Sequence, residues 1–240
     1  MRTGMGMNPG GKAARGGCNA GRRVRFAAVV GLAVLVVLAA VDRVVGQFPQ
    51  SSARTGIFGL EARGMRFVYV FDRSASMSEP GGRPLAVAKR ELLRSLGDLG
   101  DNQQFHIIFY NERQTVFAPT ANRGRPIFAS PDTKRAAEDF IEAIRAEGGT
   151  RHYEAIVAAA RLAPDAIFVL TDADAGDDLT ADELARLQRL LGGARCLVAQ
   201  FSGDENRRSP RLAQLAADSG GEYRVVDDAG VQTTDDAAAR

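Results

Sequence analysis

Lysine, histidine and cysteine are all scarce in this chain of 240 residues, and each scarcity narrows the functions open to it. The only lysines are Lys12, Lys89 and Lys134. None stands in the Gly-x-x-x-x-Gly-Lys-Ser/Thr pattern that cradles a nucleotide's phosphates. The two histidines, His106 and His152, and the two cysteines, Cys18 and Cys196, are too dispersed in sequence to read as a His/Cys metal cluster. A Gly-x-Ser-x-Gly elbow is also missing, which removes the usual setting of a hydrolase nucleophile. No internal repeat is present.

Basic residues are short in most of the chain. Residues 1–45 hold seven bases and one acid, so the remainder carries 24 bases and 28 acids and is net acidic. Nothing in that balance favours nucleic acid as a partner of the folded part. The asymmetry accompanies the run Phe26–Val41, apolar apart from Gly31, which Val44-Val45-Gly46 extends past Asp42-Arg43. A bilayer span needs about 20 such residues, within a range of roughly 17–25. Residues 26–46 are therefore expected to form a transmembrane signal anchor, with Asp42 and Arg43 at the headgroups. The five bases between Lys12 and Arg25 would hold the N-terminus in the cytoplasm and leave the domain periplasmic or extracellular. The alternative is a cleaved signal peptide, with cut sites near Ala39 or Gly46. Either way the bulk of the chain is exported. Cys18 and Cys196 then lie on opposite sides of the membrane, so no intrachain disulfide is expected. The excess of arginine over lysine, with much alanine and glycine, suits a GC-rich bacterial genome.

Residues 1–25 are expected to be a disordered basic segment, 47–63 a linker, 64–227 the folded domain and 228–240 a flexible tail. Within the domain, apolar runs alternate with segments of helical periodicity. Strands are expected at 66–72, 105–110, 165–172, 195–201 and 222–226, with Thr115-Val116-Phe117 pairing antiparallel. Pro84, Ser130-Pro131, His152, Thr180 and Ser209-Pro210 mark helix starts, and Gly148-Gly149 is expected to end the second helix. Thr180-Ala181-Asp182-Glu183 reads as a capping box. The pattern predicts an α/β fold: a doubly wound, mostly parallel sheet with helices on both faces. Asp72 and Asp172 each end an apolar strand, which sends both to the carboxyl edge where such folds bind ligands.

The first of those strands runs straight into Asp72-Arg73-Ser74-Ala75-Ser76. Three oxygen-bearing side chains gathered at one strand end suit a hard cation such as Mg²⁺. Gly148-Gly149-Thr150 and Leu170-Thr171-Asp172 can complete the set. Together these segments resemble the metal-ion-dependent adhesion site of von Willebrand factor A domains, and the resemblance covers roughly 66–226. It implies a Rossmann-like fold and Asp72, Ser74, Ser76, Thr150 and Asp172 as metal residues. The serines and the threonine would approach Mg²⁺ (or Mn²⁺ or Ca²⁺), directly or through water, and the aspartates would often act through water. It also implies a protein ligand that offers an acidic residue to the metal. Two positions depart from the family, which commonly has glycine where Ala75 and Ala173 stand. Asp174 adds a carboxylate that faces solvent, biases the site towards Ca²⁺ or weakens the capture of an acidic ligand. His106, inside an apolar strand, is expected to be structural. His152 is either a solvated helix start or part of the mouth of the site.

Three functions compete. A binding module uses the cation to capture a partner. A structural or assembly domain would carry a vestigial site. A phosphoryl-transfer enzyme would use Asp72 as nucleophile, but Ser74 stands where its second, acid/base carboxylate belongs. The binding module, without enzymatic activity, is the expectation.

Overall fold

The strand and helix patterns assemble as one mostly parallel sheet with helices on both faces. The computed structural model describes residues 52–79, 83–119, 124–172, 176–202 and 208–227. In chain order these form β1 (Ala53–Ile57), β2 (Leu60–Gly64), β3 (Arg66–Asp72), a short 3₁₀ turn (Ala75–Ser78), α1 (Arg83–Gly97), β4 (Gln104–Tyr110), β5 (Gln114–Val116) and β6 (Ile127–Phe128). Then come α2 (Pro131–Ala143), α3 (His152–Ala160), β7 (Ala166–Thr171), α4 (Ala181–Leu191), β8 (Arg195–Phe201), α5 (Pro210–Asp218) and β9 (Tyr223–Val226). The basic segment 1–25, the span 26–46, the tail 228–240, Ala173 and Asp174 lie outside the described residues. No described helix is long and apolar enough to cross a membrane.

The main sheet runs β5-β4-β3-β7-β8-β9, with β6 also paired to β4. β3, β4, β7, β8 and β9 are parallel, while β5 and β6 join β4 antiparallel. β3 is buried along almost its whole length because both of its faces are covered. Phe67, Tyr69 and Phe71 point into a core shared with α1 and α2, and Val68 and Val70 into one shared with α3, α4 and α5. Strand order reverses direction around β3: β4 lies on one side and β7 on the other. This places the ligand-binding crevice of an open α/β sheet at the carboxyl ends of β3 and β7.

The helix ends follow local chemistry. Ser130 caps α2 by accepting the Thr133 N–H, with Pro131 at the first turn. Thr180 and Glu183 form the expected capping box of α4, which closes on Gly192 in the left-handed region (φ +60°). Ser209 precedes α5 without capping it through its side chain. Asp178 does so instead, accepting the N–H groups of Arg211 (2.8 Å) and Leu212 (3.2 Å).

Two expectations need correction. The linker assigned to 47–63 holds, from Ala53 on, the antiparallel hairpin β1–β2. Phe58 and Gly59 both take positive φ, +49° and +74°, as a two-residue hairpin turn of the twist-matching kind requires. Phe58 is held there by its N–H to Glu91 (3.0 Å) and by an edge contact with Phe201. Buried hydroxyls bind the hairpin to the domain: Thr55 Oγ1 lies 2.6 Å from Ser95 Oγ, which meets the Tyr69 hydroxyl at 2.8 Å. Second, α2 ends at Ala143 rather than at Gly148-Gly149. Beyond it the backbone turns outward to serve other loops: Glu147 N–H donates to Arg73 O, and Gly148 O accepts from Ala75 N–H.

Candidate functional site

The carboxyl edge of the sheet is where β3 hands over to the 3₁₀ turn. Asp72 ends β3 fully buried. Its Oδ1 accepts the Ser74 N–H at 2.7 Å, a local turn of the kind aspartate favours. Its Oδ2 accepts the Thr171 hydroxyl at 3.0 Å. Ser74 Oγ, also buried, is 3.0 Å from Ser76 Oγ and 3.4 Å from Asp172 Oδ1. Four of the five expected residues, Asp72, Ser74, Ser76 and Asp172, are thus linked by hydrogen bonds. Met77 anchors the turn by burying its side chain beneath them.

Thr150 arrives by a different route. The segment after α2 is fastened to the first loop by main-chain bonds, Ala75 N–H to Gly148 O at 2.9 Å and Glu147 N–H to Arg73 O at 2.8 Å. Asn111 donates its side-chain amide to Glu147 O at 2.7 Å, and Arg73 pairs with Glu147 at 2.8 Å. Gly148 sits at φ +75°, where an added Cβ would come 2.9 Å from the Asn111 amide. Only glycine meets both demands. Two residues later, Thr150 lines an open cleft of about 340 Å³ with His152, Tyr153, Asp177 and Asp178. His152 is not a solvated helix start: it is buried, its Nδ1 has no partner, and burial lowers its pKa. The imidazole opens the small-residue helix α3 and lines the cleft from there.

Electrostatics single out Asp72. Burial first, and the nearby Asp172 charge second, push its carboxyl up to about 7, against the opposing pull of the Ser74 and Thr171 hydrogen bonds. Tyr110, in register with Asp72 on the neighbouring strand, is also fully buried. Its phenol is held protonated, with a pKa well above the ordinary value, by burial and by the Asp72 charge. Sequence reasoning missed Tyr110, Thr171, Asn111 and Glu147. Strand register was the available signal for the first two, since residues abreast of Asp72 on flanking strands must share its surroundings.

The donor set tests well against a hard cation. Oxygens alone are gathered here, two of them carboxylates that oppose each other's ionisation, and a divalent charge relieves that opposition. Among the described residues, no three His, Cys, Asp or Glu side chains come together as a metal-holding group, so any cation here would rest on hydroxyls as well. Ala75, where the family commonly has glycine, does not need positive φ and is accommodated without strain.

Comparison with known proteins agrees with this architecture. Inter-alpha-trypsin inhibitor heavy chain H4 of Sus scrofa is 32% identical over 95 residues, or 40% of this chain and 9% of that protein. The Homo sapiens protein of the same name is 31% identical over 104 residues, 43% of this chain and 10% of that protein. The chain therefore spans only a small part of the length of these curated relatives. Among solved structures, a von Willebrand factor type A protein from Catenulispora acidiphila superposes with a TM-score of 0.58 at 19% identity, covering 75% of this chain and 47% of that one. BatB from Bacteroides thetaiotaomicron gives 0.52 at 20% identity, covering 68% and 91%. At these identities the superpositions establish the fold alone. The family model described as von Willebrand factor type A domain matches residues 65–225, and the chain belongs to that family.

Proposed function

We propose that this domain binds a partner protein through a divalent cation held by Asp72, Ser74, Ser76, Thr150 and Asp172, with Mg²⁺ as the native ion and Mn²⁺ or Ca²⁺ as substitutes. The observation that carries the reading is the chain of oxygens Asp172–Ser74–Ser76 beside the buried Asp72 carboxyl. Bound there, the cation supplies an electron-poor position for a carboxylate of the partner. Ser74 and Ser76 contribute oxygen without formal charge, so the local negative charge comes from Asp72 and Asp172. Thr171 donates to Oδ2 of Asp72 and the Ser74 N–H to Oδ1, so the carboxylate is oriented from both sides. The role is binding rather than catalysis, because Ser74 stands where a second carboxylate would have to act as acid or base. The surface offered to the partner is the loop edge around 74–78, 148–152 and 172, and an acidic side chain is the ligand.

The domain is placed outside the cytoplasm of a bacterial cell, tethered by residues 26–46 with the N-terminus inside. The apolar run and the five preceding bases support that orientation. Protease added outside the inner membrane should degrade the domain; survival until the membrane is dissolved reverses the topology.

The full chain in detergent should melt at a higher temperature with millimolar Mg²⁺ than with EDTA, since a ligand of the native state stabilises it. Asp72→Ala or Ser74→Ala should remove the difference. A partner from the cell envelope should be released by EDTA, return with Mg²⁺ and bind Thr150→Ala at least about tenfold more weakly, as expected when the cation loses one of its oxygen ligands. A partner held equally well in EDTA and by Thr150→Ala would leave the site vestigial and the domain a structural or assembly module.

A further inference from the structure

Across the middle of the sheet, three strands end in polar side chains that lie abreast. Tyr110 of β4 is in register with Asp72 of β3. Thr171 of β7 follows Leu170, the register partner of Phe71. Alternation along each strand puts all three on the face covered by α3, and all three are fully buried. Within the row, Thr171 donates to Asp72. The Tyr110 hydroxyl lies close enough to interact with both Asp72 and Thr171, yet has no hydrogen-bond partner of acceptable geometry.

An unpartnered hydroxyl in a fully buried position is costly, and phenylalanine would fill the same space without it. The group therefore has a use that the present arrangement leaves unmet. Its neighbour supplies one. Asp72 Oδ2, which already accepts the Thr171 hydroxyl, has room for more than one donor. We propose that Tyr110 is a positioning residue of the cation site, whose hydroxyl joins Thr171 in donating to Asp72 when the cation is bound, holding that carboxylate in its place at the site. The inference rests on the proposed cation site and adds a residue that acts behind it, without touching the ion. Outer-shell donors of this kind orient ligating carboxylates, and their loss typically weakens metal binding by about 10–100-fold.

The proposal has an unusual signature: removing the hydroxyl should hurt binding without hurting the fold. The full chain in detergent, wild type and Tyr110→Phe, is titrated with Mn²⁺ and with Mg²⁺ by calorimetry, and melted in EDTA. Tyr110→Phe should melt in EDTA at the wild-type temperature or above it, because a buried donor without a partner has been deleted. It should bind either ion about tenfold or more weakly. Thr171→Val, which removes a hydroxyl that is already bonded, should lower both the EDTA melting temperature and the affinity. Unchanged affinity in Tyr110→Phe overturns the proposal, as does weaker binding accompanied by a matching loss of stability in EDTA. If the wild type itself binds neither ion, the cation reading fails and this inference falls with it; a wild type that binds while Tyr110→Phe binds equally well removes the inference alone.

Discussion

The two faces of the sheet are built from different side chains. One presents Phe67, Tyr69, Phe71, Phe105, Phe109 and Phe168 to α1, α2 and the hairpin. The other presents Val68, Val70, Ile108, Ile167, Val169 and Val198 to α3, α4 and α5. On the first, rings fill space by stacking: Tyr69 and Phe168 lie 5.4 Å apart and nearly parallel, and Phe67 stacks on the same Phe168 at 6.4 Å. On the second, short branched side chains meet a helix whose buried residues include Ala155, Ala159 and Ala160, so helix and sheet approach closely. The polar row Tyr110–Asp72–Thr171 belongs to this second face. The aromatic face carries the larger apolar bulk, with the hydroxyls of Thr55, Ser95 and Tyr69 bonded within it, and the aliphatic face carries the polar row that ends at the candidate site. Stability and chemistry are thus weighted towards opposite sides of one sheet.

That division can be broken most forcefully by Phe168→Ala, which removes the ring shared by two stacks. It should cost about 3–5 kcal/mol in denaturant unfolding, while cation affinity below the melting transition stays near wild type. A loss under about 1 kcal/mol, or a large drop in affinity, would show that the faces are not separable in this way.

The aliphatic face should instead show itself in pH dependence. His106, on the same face of β4 as Ile108 and Tyr110, is buried, and burial lowers its pKa to about 4. The unfolded chain binds this proton near the ordinary value of about 6.5. Between those values the unfolded state holds more protons than the native state. Stability from this group is therefore fully present above pH ~6.5 and is lost as pH falls towards ~4, by on the order of 3 kcal/mol. Urea unfolding of wild type and His106→Leu at pH 7 and pH 4.5 isolates the term, and equal pH slopes for the two would remove it.

The smallest effect sharpens the role of the hairpin on the aromatic side. Thr55→Val deletes one hydroxyl from the Thr55–Ser95–Tyr69 group and should cost about 1 kcal/mol, leaving Ser95 and Tyr69 still paired. The melting temperature reads it, and no change would mean that apolar packing alone docks the hairpin.

Much of this architecture was legible in the residues. Apolar runs of strand length gave β3, β4, β7, β8 and β9, and capping chemistry placed the starts of α2 and α4. Placing Asp72 and Asp172 at strand ends was enough to bring them to one edge. The hairpin was hidden because β1 and β2 are short and carry glycine, threonine and charged residues, the composition of a linker. Of the inward positions of β2, Leu60, Ala62 and Gly64, only the first is bulky. The end of α2 was hidden because the carbonyls of Glu142 and Ile144 accept from Lys89, and Glu147 and Gly148 beyond them bond to Arg73, Ala75 and Asn111, partners far away in sequence. Thr150 lies on that irregular segment, where periodicity says nothing about position. Tyr110 was hidden because a tyrosine ending an apolar strand looks like core until its register partner is known.

The first loop and the loop before α3 are joined through Arg73 O, Ala75 N, Glu147 N and Gly148 O. These are peptide atoms, common to every residue type, apart from the N–H that proline lacks. Gly148 must remain glycine and Arg73 pairs with Glu147, but the Ala75 side chain takes no part in the joint. The rim can therefore change its lettering, at Ala75 or Arg151 for example, while the frame beneath keeps its shape. A lineage carrying this domain could alter which partner it prefers by single substitutions on the rim, with the geometry of the floor inherited intact.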